Sequence, residues 1–356
     1  MEKIILTTGG TGGHIFPALA VAEALRRRHP AIELFFIGSL YGQEKTLAAR
    51  AGIPFVGLPV RGFLGRGVRA FGAALRMCGA IGSAVSLIRK FRPQAVIGFG
   101  SYAAFAPLFA ARMLGIPSML HEQNAVAGTS NRIMGRFARK ICVSLEGTQG
   151  FPEGKCVVTG NPVRESVIAR GRNSRNKGTR RLLVLGGSQG AHAVNAFVVG
   201  QLPYLKAAGV EILHQTGERD EGNVRAAYVS AGFSPSCVRG FIDDMAAAYS
   251  WADVALCRAG ASSVAELCVA GLPAVLVPFP YAIHDHQTKN ALVMEKAGAA
   301  RLVPERDLDK ASPMLEEMLS DGGRREAMAA AALAAARPDA ADRVVLCIED
   351  MLAHVE

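Results

Sequence analysis

Residues 3–14 of the chain read KIILTTGGTGGH, an apolar run followed at once by a turn with four glycines and by His14. The run Lys3–Thr7 is typical of a buried strand, and apolar residues at helical spacing follow from Pro17 to about Arg28. A strand, a glycine-rich turn and a helix in this order begin a βαβ unit. The opening stretch therefore predicts an α/β domain with a parallel sheet wrapped by helices.

The same pattern occurs a second time near the middle of the chain. Residues 181–191 read RLLVLGGSQGA, again a strand-type run, a glycine-rich turn and the start of a helix. Further strand-type segments alternate with helical ones after both turns, at 32–37, 54–58, 95–98, 118–121 and 140–143 and at 210–215, 253–257, 274–277 and 300–303. The chain is therefore expected to hold two α/β domains in tandem.

The predicted fold class is α/β, with two Rossmann-like domains facing across a cleft. We assign residues 1–163 to the first domain and residues 164–338 to the second. The segment 164–181, rich in Arg, Asn and Gly, is interpreted as the linker. Residues 339–356 follow a break at Pro338 and are predicted to form an amphipathic helix that packs back on the first domain.

Composition excludes several classes of protein. Half of the 356 residues are apolar and 20% are charged, which excludes a disordered chain. No segment approaches the roughly 18 uncharged apolar residues of a transmembrane helix, and the first residues do not resemble a signal peptide. The seven cysteines are scattered and form no CxxC pair, so we expect reduced thiols in a cytoplasmic protein, with neither a disulfide framework nor a zinc site.

The net charge of +10 comes entirely from the first half of the chain. Residues 1–162 contain 19 Lys and Arg against 7 Asp and Glu, whereas the rest contains 21 against 23. The first half is therefore expected to face an anionic partner, such as nucleic acid, an acidic membrane or a phosphorylated substrate.

Residues 61–92 concentrate this charge, with seven basic residues, no acidic one and many apolar residues between them. Such a segment is typical of a membrane-surface element, although a core-facing helix with a solvated basic side has the same pattern. The residues expected to face an anionic membrane are Phe63, Arg66, Arg69, Phe71, Leu75, Arg76 and Arg89. Nucleic acid is disfavoured because the chain has no recognition motif and only 6% aromatic residues.

The first glycine-rich turn suits a phosphate, because glycines let the backbone approach an anion and the following helix N-terminus supplies N–H groups. It lacks the Lys-Ser/Thr of a P-loop and the third glycine of a dinucleotide fingerprint, where Ile15 stands. A tight turn without a ligand is the alternative. His14, at the end of this turn, is either a candidate general base or a local cap.

The segment from Gly260 to Glu266 begins another helix, whose N-terminus could hold a diphosphate while Glu266 accepts hydrogen bonds from sugar hydroxyls. The alternative is a capping box formed by Ser263 and Glu266. The spacing in residues 284–287, HDHQ, is too tight for a metal site, and the acids Asp307 and Asp309 suit a turn. We therefore predict neither a metal ion nor a cofactor.

Six motifs together resemble one family. They are GGTGGH at 9–14, HEQN at 121–124, GNPVR at 160–164, GGSQGA at 186–191, FIDDM at 241–245 and RAGASSVAE at 258–266. Their order resembles the MurG-type N-acetylglucosaminyltransferases of peptidoglycan synthesis, over nearly the whole chain. The resemblance implies a metal-free enzyme of the GT-B fold. It implies inverting transfer of N-acetylglucosamine from UDP-N-acetylglucosamine to the 4-hydroxyl of the muramoyl sugar of lipid I, which gives lipid II.

The resemblance also implies site residues and partners. His14 is the implied base, and Glu122 is its candidate partner. The implied donor-binding residues are Thr11, Gly12, Gly13, Asn124, Arg164, Ser188, Ile242, Ala261, Ser262, Ser263, Val264, Ala265, Glu266 and Gln287. A peripheral place on the cytoplasmic face of the inner membrane is implied, with a role in cell-wall biogenesis, cell shape and division and with cell-wall and division proteins as possible partners.

The sequence departs from the family at one loop. Gly100-Ser101-Tyr102 stands where the family usually has Gly-Gly-Tyr, and Ala106 stands where a glycine often precedes Pro107. If this loop contacts the diphosphate of the acceptor, its backbone conformation is expected to differ from that of the family. Three other functions are compatible with parts of the pattern: a UDP-N-acetylglucosamine epimerase, a nicotinamide dehydrogenase and a non-catalytic basic binding protein. The basic segment argues against the first, the glycine spacing against the second, and the two glycine-rich turns against the third.

Overall fold

The computed structural model describes residues 1–10, 12–60, 70–152, 154–171, 179–187 and 189–354, with the backbone alone at 70–74, 171 and 283. The chain divides into two units, here the N-terminal domain (Met1–Arg164 with Asp339–Glu356) and the C-terminal domain (Glu165–Pro338). The sequence-based assignment of Arg164 to the second domain is wrong. Its guanidinium lies over the ring of Phe16, 4.2 Å from the centroid, and ties it to the N-terminal domain.

The N-terminal domain is built on a seven-stranded sheet of order β3-β2-β1-β4-β5-β6-β7, and each described strand pair in it is parallel. The strands are β1 (Lys3–Thr7), β2 (Glu33–Ser39), β3 (Phe55–Leu58), β4 (Ala95–Gly98), β5 (Ser118–Glu122), β6 (Lys140–Val143) and β7 (Cys156–Val158). The helices are α1 (Gly12–Arg28), α2 (Glu44–Arg50), α3 (Ala70–Phe91), α4 (Phe105–Met113), α5 (Thr129–Met134) and the last helix, α14 (Ala340–Ala353). Because β2 and β4 flank β1 on opposite sides, the carboxyl ends of β1 and β4 form a topological switch point.

Both faces of this sheet are buried, which explains the continuous apolar runs of its strands. Ile4 and Leu6 of β1 pack with α1 and α14 on one face, whereas Ile5 packs with α3 and α4 on the other. The alternation follows from the two-residue period of a strand.

Helix α14 packs on α1 within the N-terminal domain. Its residues Val344, Val345 and Ile348 have no exposed surface and join the same core cluster as Ile4 and Leu6. Ion pairs at its rim join Arg27 to Asp342 and Arg28 to Glu349, each at 2.6 Å. The chain thus returns to its first domain after completing the second.

The C-terminal domain is built on a six-stranded parallel sheet of order β10-β9-β8-β11-β12-β13. The strands are β8 (Arg181–Leu185), β9 (Glu211–Gln215), β10 (Val238–Arg239), β11 (Val254–Cys257), β12 (Ala274–Leu276) and β13 (Ala300–Leu302). The helices are α6 (Glu165–Gly171), α7 (His192–Ala207), α8 (Glu221–Ser230), α9 (Met245–Trp251), α10 (Ala261–Ala270), α11 (His286–Lys296), α12 (Ala311–Ser320) and α13 (Gly322–Ala335). Here β9 and β11 flank β8, so the switch point lies at the carboxyl ends of β8 and β11.

The structure corrects the predicted linker and adds two strands. Residues 165–171 of the predicted linker form α6, which packs against α9 and α10 of the C-terminal domain, and Arg181 begins β8. Strands β7 and β10 were not predicted, because β7 is exposed along its length and β10 has only two residues. Neither strand carries the buried apolar run by which the others are recognised.

Candidate active site

Two glycines of the turn after β1 have a structural reason, which is close packing at Gly9 and a positive φ at Gly10. A Cβ at Gly9 would collide with the methyl group of Ala103, and Gly10 has a φ of +88°. The Gly10 N–H donates to Oε1 of Glu44 at 2.9 Å, and this buried carboxylate also accepts from the Ser39 N–H at 3.3 Å. Glu44 was not predicted as part of the site, because an acid at the start of a helix is usually solvated.

His14 lies in the first turn of α1 and is partly buried. Its Nδ1 is 2.8 Å from Oε1 of Gln123, the residue that follows β5. Gly100, which follows β4, lies against the ring with a φ of +93°, and a Cβ there would come within 3.3 Å of the His14 Cε1 and Nδ1. The ring therefore lies where the carboxyl ends of β1, β4 and β5 meet, at the switch point of the sheet.

The residue that contacts His14 is Gln123 rather than Glu122. The buried Glu122 carboxylate accepts four hydrogen bonds within its own loop. They come from the backbone N–H and Nδ2 of Asn124, both at 3.1 Å, from the Gly128 N–H at 3.1 Å and from Nδ2 of Asn131 at 2.9 Å. Glu122 thus organises the loop that carries Asn124, and the expectation that it pairs with His14 is wrong.

Ser101 keeps a glycine-like backbone conformation despite its side chain. Its φ of +70° and ψ of 160° lie in a region that only glycine adopts readily. Its Oγ points at the first glycine-rich turn, since a Cβ at Gly9 would lie 3.2 Å from it and a Cβ at Gly10 would lie 3.5 Å from it. The backbone at Ser101 is therefore strained.

His121 is completely buried beneath this loop. Burial lowers the pKa of its imidazole to about 4, while a 3.0 Å hydrogen bond to the carbonyl of Gly160 acts in the opposite direction and the nearby His14 lowers it slightly further. The ring is therefore neutral at neutral pH.

In the C-terminal domain, Gln215 joins the second glycine-rich turn to the loop that contains Ile242. Its Nε2 donates to the carbonyl of Gly187 at 3.1 Å, and its Oε1 accepts from the Ile242 N–H at 2.9 Å. Because that N–H is already bonded, a ligand could meet the backbone of Ile242 only at its carbonyl. Close packing holds the turn, since a Cβ at Gly190 would collide with the carbonyl of Thr216.

Helix α10 begins beside this turn, at the carboxyl end of β11. Its N-cap is Gly260, so its leading N–H groups are those of Ala261, Ser262 and Ser263. The capping box between Ser263 and Glu266 is absent. The buried Glu266 instead accepts a 2.9 Å hydrogen bond at Oε2 from the hydroxyl of Tyr249 on α9. Val264 and Ala265 complete the first turns of this helix.

Gln287 lies in the first turn of α11, beyond β12. Its Oε1 accepts from the N–H of Phe279 at 2.9 Å, so a ligand would meet the donor side of the amide. Arg258 supports the loop after β12, with hydrogen bonds at 3.3 Å to the carbonyls of Val277 and Pro278. Within the described residues, no three His, Cys, Asp or Glu side chains are grouped as metal ligands.

The other expected donor-site residues are divided between the two domains. Gly12 and Gly13 begin α1 beside His14, and Asn124 follows Gln123, all in the N-terminal domain. Ile242, the residues 261–266 and Gln287 lie at the carboxyl edge of the C-terminal sheet. Outside the described residues are Thr11, Ser188, Phe63, Arg66 and Arg69, as well as the side chain of Phe71.

Helix α3 has both the core face and the basic–apolar surface that the sequence allowed. Met77, Ala80, Ala84 and Ile88 are buried at helical spacing. Leu75 on the outer surface is 61% exposed, and Arg76 and Arg89 are exposed with it. Across the described part of the chain, no helix is both long enough and apolar enough to cross a membrane.

Comparison with known proteins shows the family of this chain. The glycosyltransferase family 28 N-terminal domain model matches residues 4–143, and the family 28 C-terminal domain model matches residues 181–344. A UDP-N-acetylglucosamine--N-acetylmuramyl-(pentapeptide) pyrophosphoryl-undecaprenol N-acetylglucosamine transferase from Nitratidesulfovibrio vulgaris (strain DP4) is 53% identical over 99% of this chain and 98% of its own length. An enzyme of the same name from Solidesulfovibrio magneticus is 46% identical over 99% of both chains.

Solved structures share the fold. The crystal structure of Acinetobacter baumannii MurG matches with a TM-score of 0.76 and 33% identity, over 98% of this chain and all of that one. A putative UDP-N-acetylglucosamine 2-epimerase from Listeria monocytogenes matches with a TM-score of 0.69, but at 15% identity over 99% of this chain and 97% of that one, which shows a common fold alone. The predicted class of two Rossmann-like domains of the GT-B type is confirmed, and the chain belongs to glycosyltransferase family 28, in its MurG-type branch.

Proposed function

We propose that this chain transfers N-acetylglucosamine from UDP-N-acetylglucosamine to the 4-hydroxyl of the muramoyl sugar of lipid I, giving lipid II. Two features support this activity. Relatives with 46–53% identity over nearly the whole chain carry the corresponding enzyme name. Each domain also presents its glycine-rich turn at the switch point of its sheet, where ligands of open α/β sheets bind.

The C-terminal domain binds the donor in this proposal. The leading N–H groups of α10 and the second glycine-rich turn hold the diphosphate, because a helix N-terminus and glycine-rich backbone both favour anions. Glu266 accepts from the ribose hydroxyls, Ile242 borders the uracil, and Gln287 donates to the sugar. As the diphosphate leaves, its negative charge grows, so donors placed in advance stabilise the transition state more than the ground state.

The N-terminal domain supplies the base. The observation that carries this assignment is the His14 ring held at the switch point by the 2.8 Å contact with Gln123. His14 takes the proton of the acceptor 4-hydroxyl while the oxygen bonds to the anomeric carbon of the donor sugar. The bond from that carbon to the diphosphate breaks, UDP leaves with the electron pair, and the anomeric configuration inverts. Glu122 positions Asn124 for the donor sugar.

The outer surface of α3 brings the enzyme to its lipid-linked acceptor. Leu75, Arg76 and Arg89 are exposed together there, and basic residues beside apolar ones attract an anionic bilayer. A peripheral place on the cytoplasmic face of the membrane follows from this proposal. The cell-wall and division proteins expected as partners stay a prediction.

The base assignment is tested with His14→Ala. We expect turnover with UDP-N-acetylglucosamine and a lipid I analogue to fall by about 10²- to 10⁴-fold, the usual contribution of a general base. UDP affinity, measured by calorimetry, should stay close to that of the unaltered chain. Turnover near the unaltered level across the pH range would show that His14 is not the base.

A further inference from the structure

A continuous row of polar groups runs from His14 into the interior of the N-terminal domain. The His14 Nδ1 is 2.8 Å from Oε1 of Gln123, whose Nε2 is 3.1 Å from Nδ1 of His121. The Nε2 of His121 is in turn 3.0 Å from the carbonyl oxygen of Gly160. A neutral imidazole can carry its proton on either nitrogen, and an amide group can be flipped. Which atom donates in each hydrogen bond of this row is therefore decided by the group at its buried end.

The buried end allows one protonation state. His121 has no exposed surface, and burial holds the pKa of its ring at about 4, so the ring carries a single N–H at neutral pH. The carbonyl of Gly160 can only accept, which places that N–H on Nε2. The Nδ1 of His121 therefore carries a lone pair and accepts a hydrogen bond.

Gln123 has one orientation that satisfies its surroundings. Its Nε2 faces three acceptors: the Phe99 carbonyl at 3.1 Å, Nδ1 of His121 at 3.1 Å and the His121 carbonyl at 3.3 Å. If the amide were flipped, its oxygen would face these three acceptors and could form no hydrogen bond with any of them. The Oε1 of Gln123 therefore faces His14, and an amide oxygen can only accept.

We infer that Gln123 is a positioning residue that holds His14 in the tautomer protonated on Nδ1, so that Nε2 is the atom that takes the acceptor proton. This inference rests on the proposed role of His14 as base. Without the Gln123 carbonyl, the ring could carry its proton on either nitrogen, and only one of these tautomers leaves the lone pair on Nε2. When Nε2 gains the hydroxyl proton, Nδ1 keeps its own proton, and the dipole of the Gln123 carbonyl stabilises the charged ring.

The variant Gln123→Met keeps the approximate length of the side chain and removes both hydrogen-bonding groups. We expect kcat to fall by about 10- to 100-fold, less than for His14→Ala, because the base remains but loses its fixed tautomer and orientation. UDP affinity should not change. The matched control is Gln94→Met, since Gln94 lies elsewhere in the same domain, where its Oε1 accepts from the N–H of Glu2 at 2.6 Å.

A double variant separates positioning from a general structural role. In the His14→Ala background, Gln123→Met should lower kcat no further, because a residue that acts through His14 has nothing left to act on. An equal loss of kcat in both backgrounds would overturn the inference.

The tautomer can be read directly in the unaltered chain by ¹⁵N NMR of labelled histidines, with His14→Ala used to assign the resonances. We expect a protonated Nδ1 and a bare Nε2 for His14 at neutral pH, and a mixture of tautomers in Gln123→Met. A His14 ring protonated on Nε2 in the unaltered chain would overturn the inference. Near-normal turnover of His14→Ala would instead overturn the base assignment and its catalytic consequence, while the NMR result would still decide the tautomer.

Discussion

The hydroxyl of Tyr249 donates a 2.9 Å hydrogen bond to Oε2 of Glu266, and both side chains are buried in the C-terminal domain. Tyr249 belongs to α9 and Glu266 to α10, so the carboxylate is held by a neighbouring helix rather than by the N-terminus of its own. A carboxylate fixed in this way loses little side-chain freedom when it accepts hydrogen bonds from ribose hydroxyls.

We therefore expect Glu266→Ala to weaken UDP binding by about 1–3 kcal/mol, the loss typical of a buried hydrogen-bond partner. Tyr249→Phe, which removes only the hydroxyl that holds Glu266, should weaken binding less. Calorimetric titration with UDP measures both, and Glu326→Ala, on the exposed side of α13, is the control. Equal affinity in Glu266→Ala and the unaltered chain would leave Glu266 with a packing role alone.

Strain at Ser101 predicts an unusual effect of a glycine substitution. Because the φ of +70° and ψ of 160° suit glycine, Ser101→Gly should raise the free energy of unfolding by about 1 kcal/mol, after the greater freedom of glycine in the unfolded chain is deducted. Ser83→Gly, within α3, is the control and should lower that free energy by roughly 0.5–1 kcal/mol. Chemical denaturation measures both changes. A lower free energy of unfolding in Ser101→Gly would show that the backbone at Ser101 is not strained.

A buried histidine makes the stability of the C-terminal domain depend on pH. Burial lowers the pKa of His214 to about 3, whereas in the unfolded chain it is near 6.5. Below pH 6.5 only the unfolded chain gains this proton, so the free energy of unfolding should fall as the pH drops towards 3, by at most about 1.4 kcal/mol per pH unit.

The single tryptophan, Trp251, lies in the same domain, and its fluorescence during urea denaturation at pH 7, 5.5 and 4.5 measures this dependence. His214→Gln should flatten the dependence on pH, whereas His354→Gln, at an exposed histidine of the other domain, should leave it unchanged. If the free energy of unfolding depends as steeply on pH in His214→Gln as in the unaltered chain, groups other than His214 cause the dependence.

The strands that sequence analysis predicted are those with buried apolar runs, such as β1 and β8. Strands β7 and β10 form because neighbouring strands offer them hydrogen bonds, and the seven-residue helix α6 forms where α9 and α10 cover it. Tertiary contacts of this kind leave little pattern in the sequence of a short segment. These three elements could therefore not be predicted from the sequence.

The site shows the same limit at the scale of single residues. The motif at 121–124 identified the right loop, but not which of two adjacent residues contacts His14. Neighbouring residues at the end of a strand point to opposite faces. The choice between Glu122 and Gln123 therefore depends on the register of β5, which the motif does not contain.

The basic segment 61–92, which includes α3, should bind anionic bilayers in a salt-dependent way. Replacing Arg66, Arg69, Arg76 and Arg89 with Gln should release the protein from anionic vesicles, since each basic residue near the surface contributes about 1 kcal/mol and salt screens the attraction. Leu75→Ser should weaken binding even at low salt. UDP binding should survive in both variants.

Vesicle sedimentation across a salt series measures this binding. The control with the same change in charge replaces Arg301, Arg306, Lys310 and Arg337 of the C-terminal domain, all exposed, and should still bind. If the variant of Arg66, Arg69, Arg76 and Arg89 sediments as well as the unaltered chain, the membrane contact lies elsewhere.

The activity itself is tested most directly by incubating the protein with labelled UDP-N-acetylglucosamine, with and without a lipid I analogue, and identifying every labelled product. We expect UDP and a lipid-linked disaccharide, with the new sugar on the muramoyl 4-hydroxyl in inverted configuration, only when the acceptor is present. Conversion of the donor to its 2-epimer without acceptor, or no labelled lipid product with acceptor, would show that the chain does not catalyse this transfer.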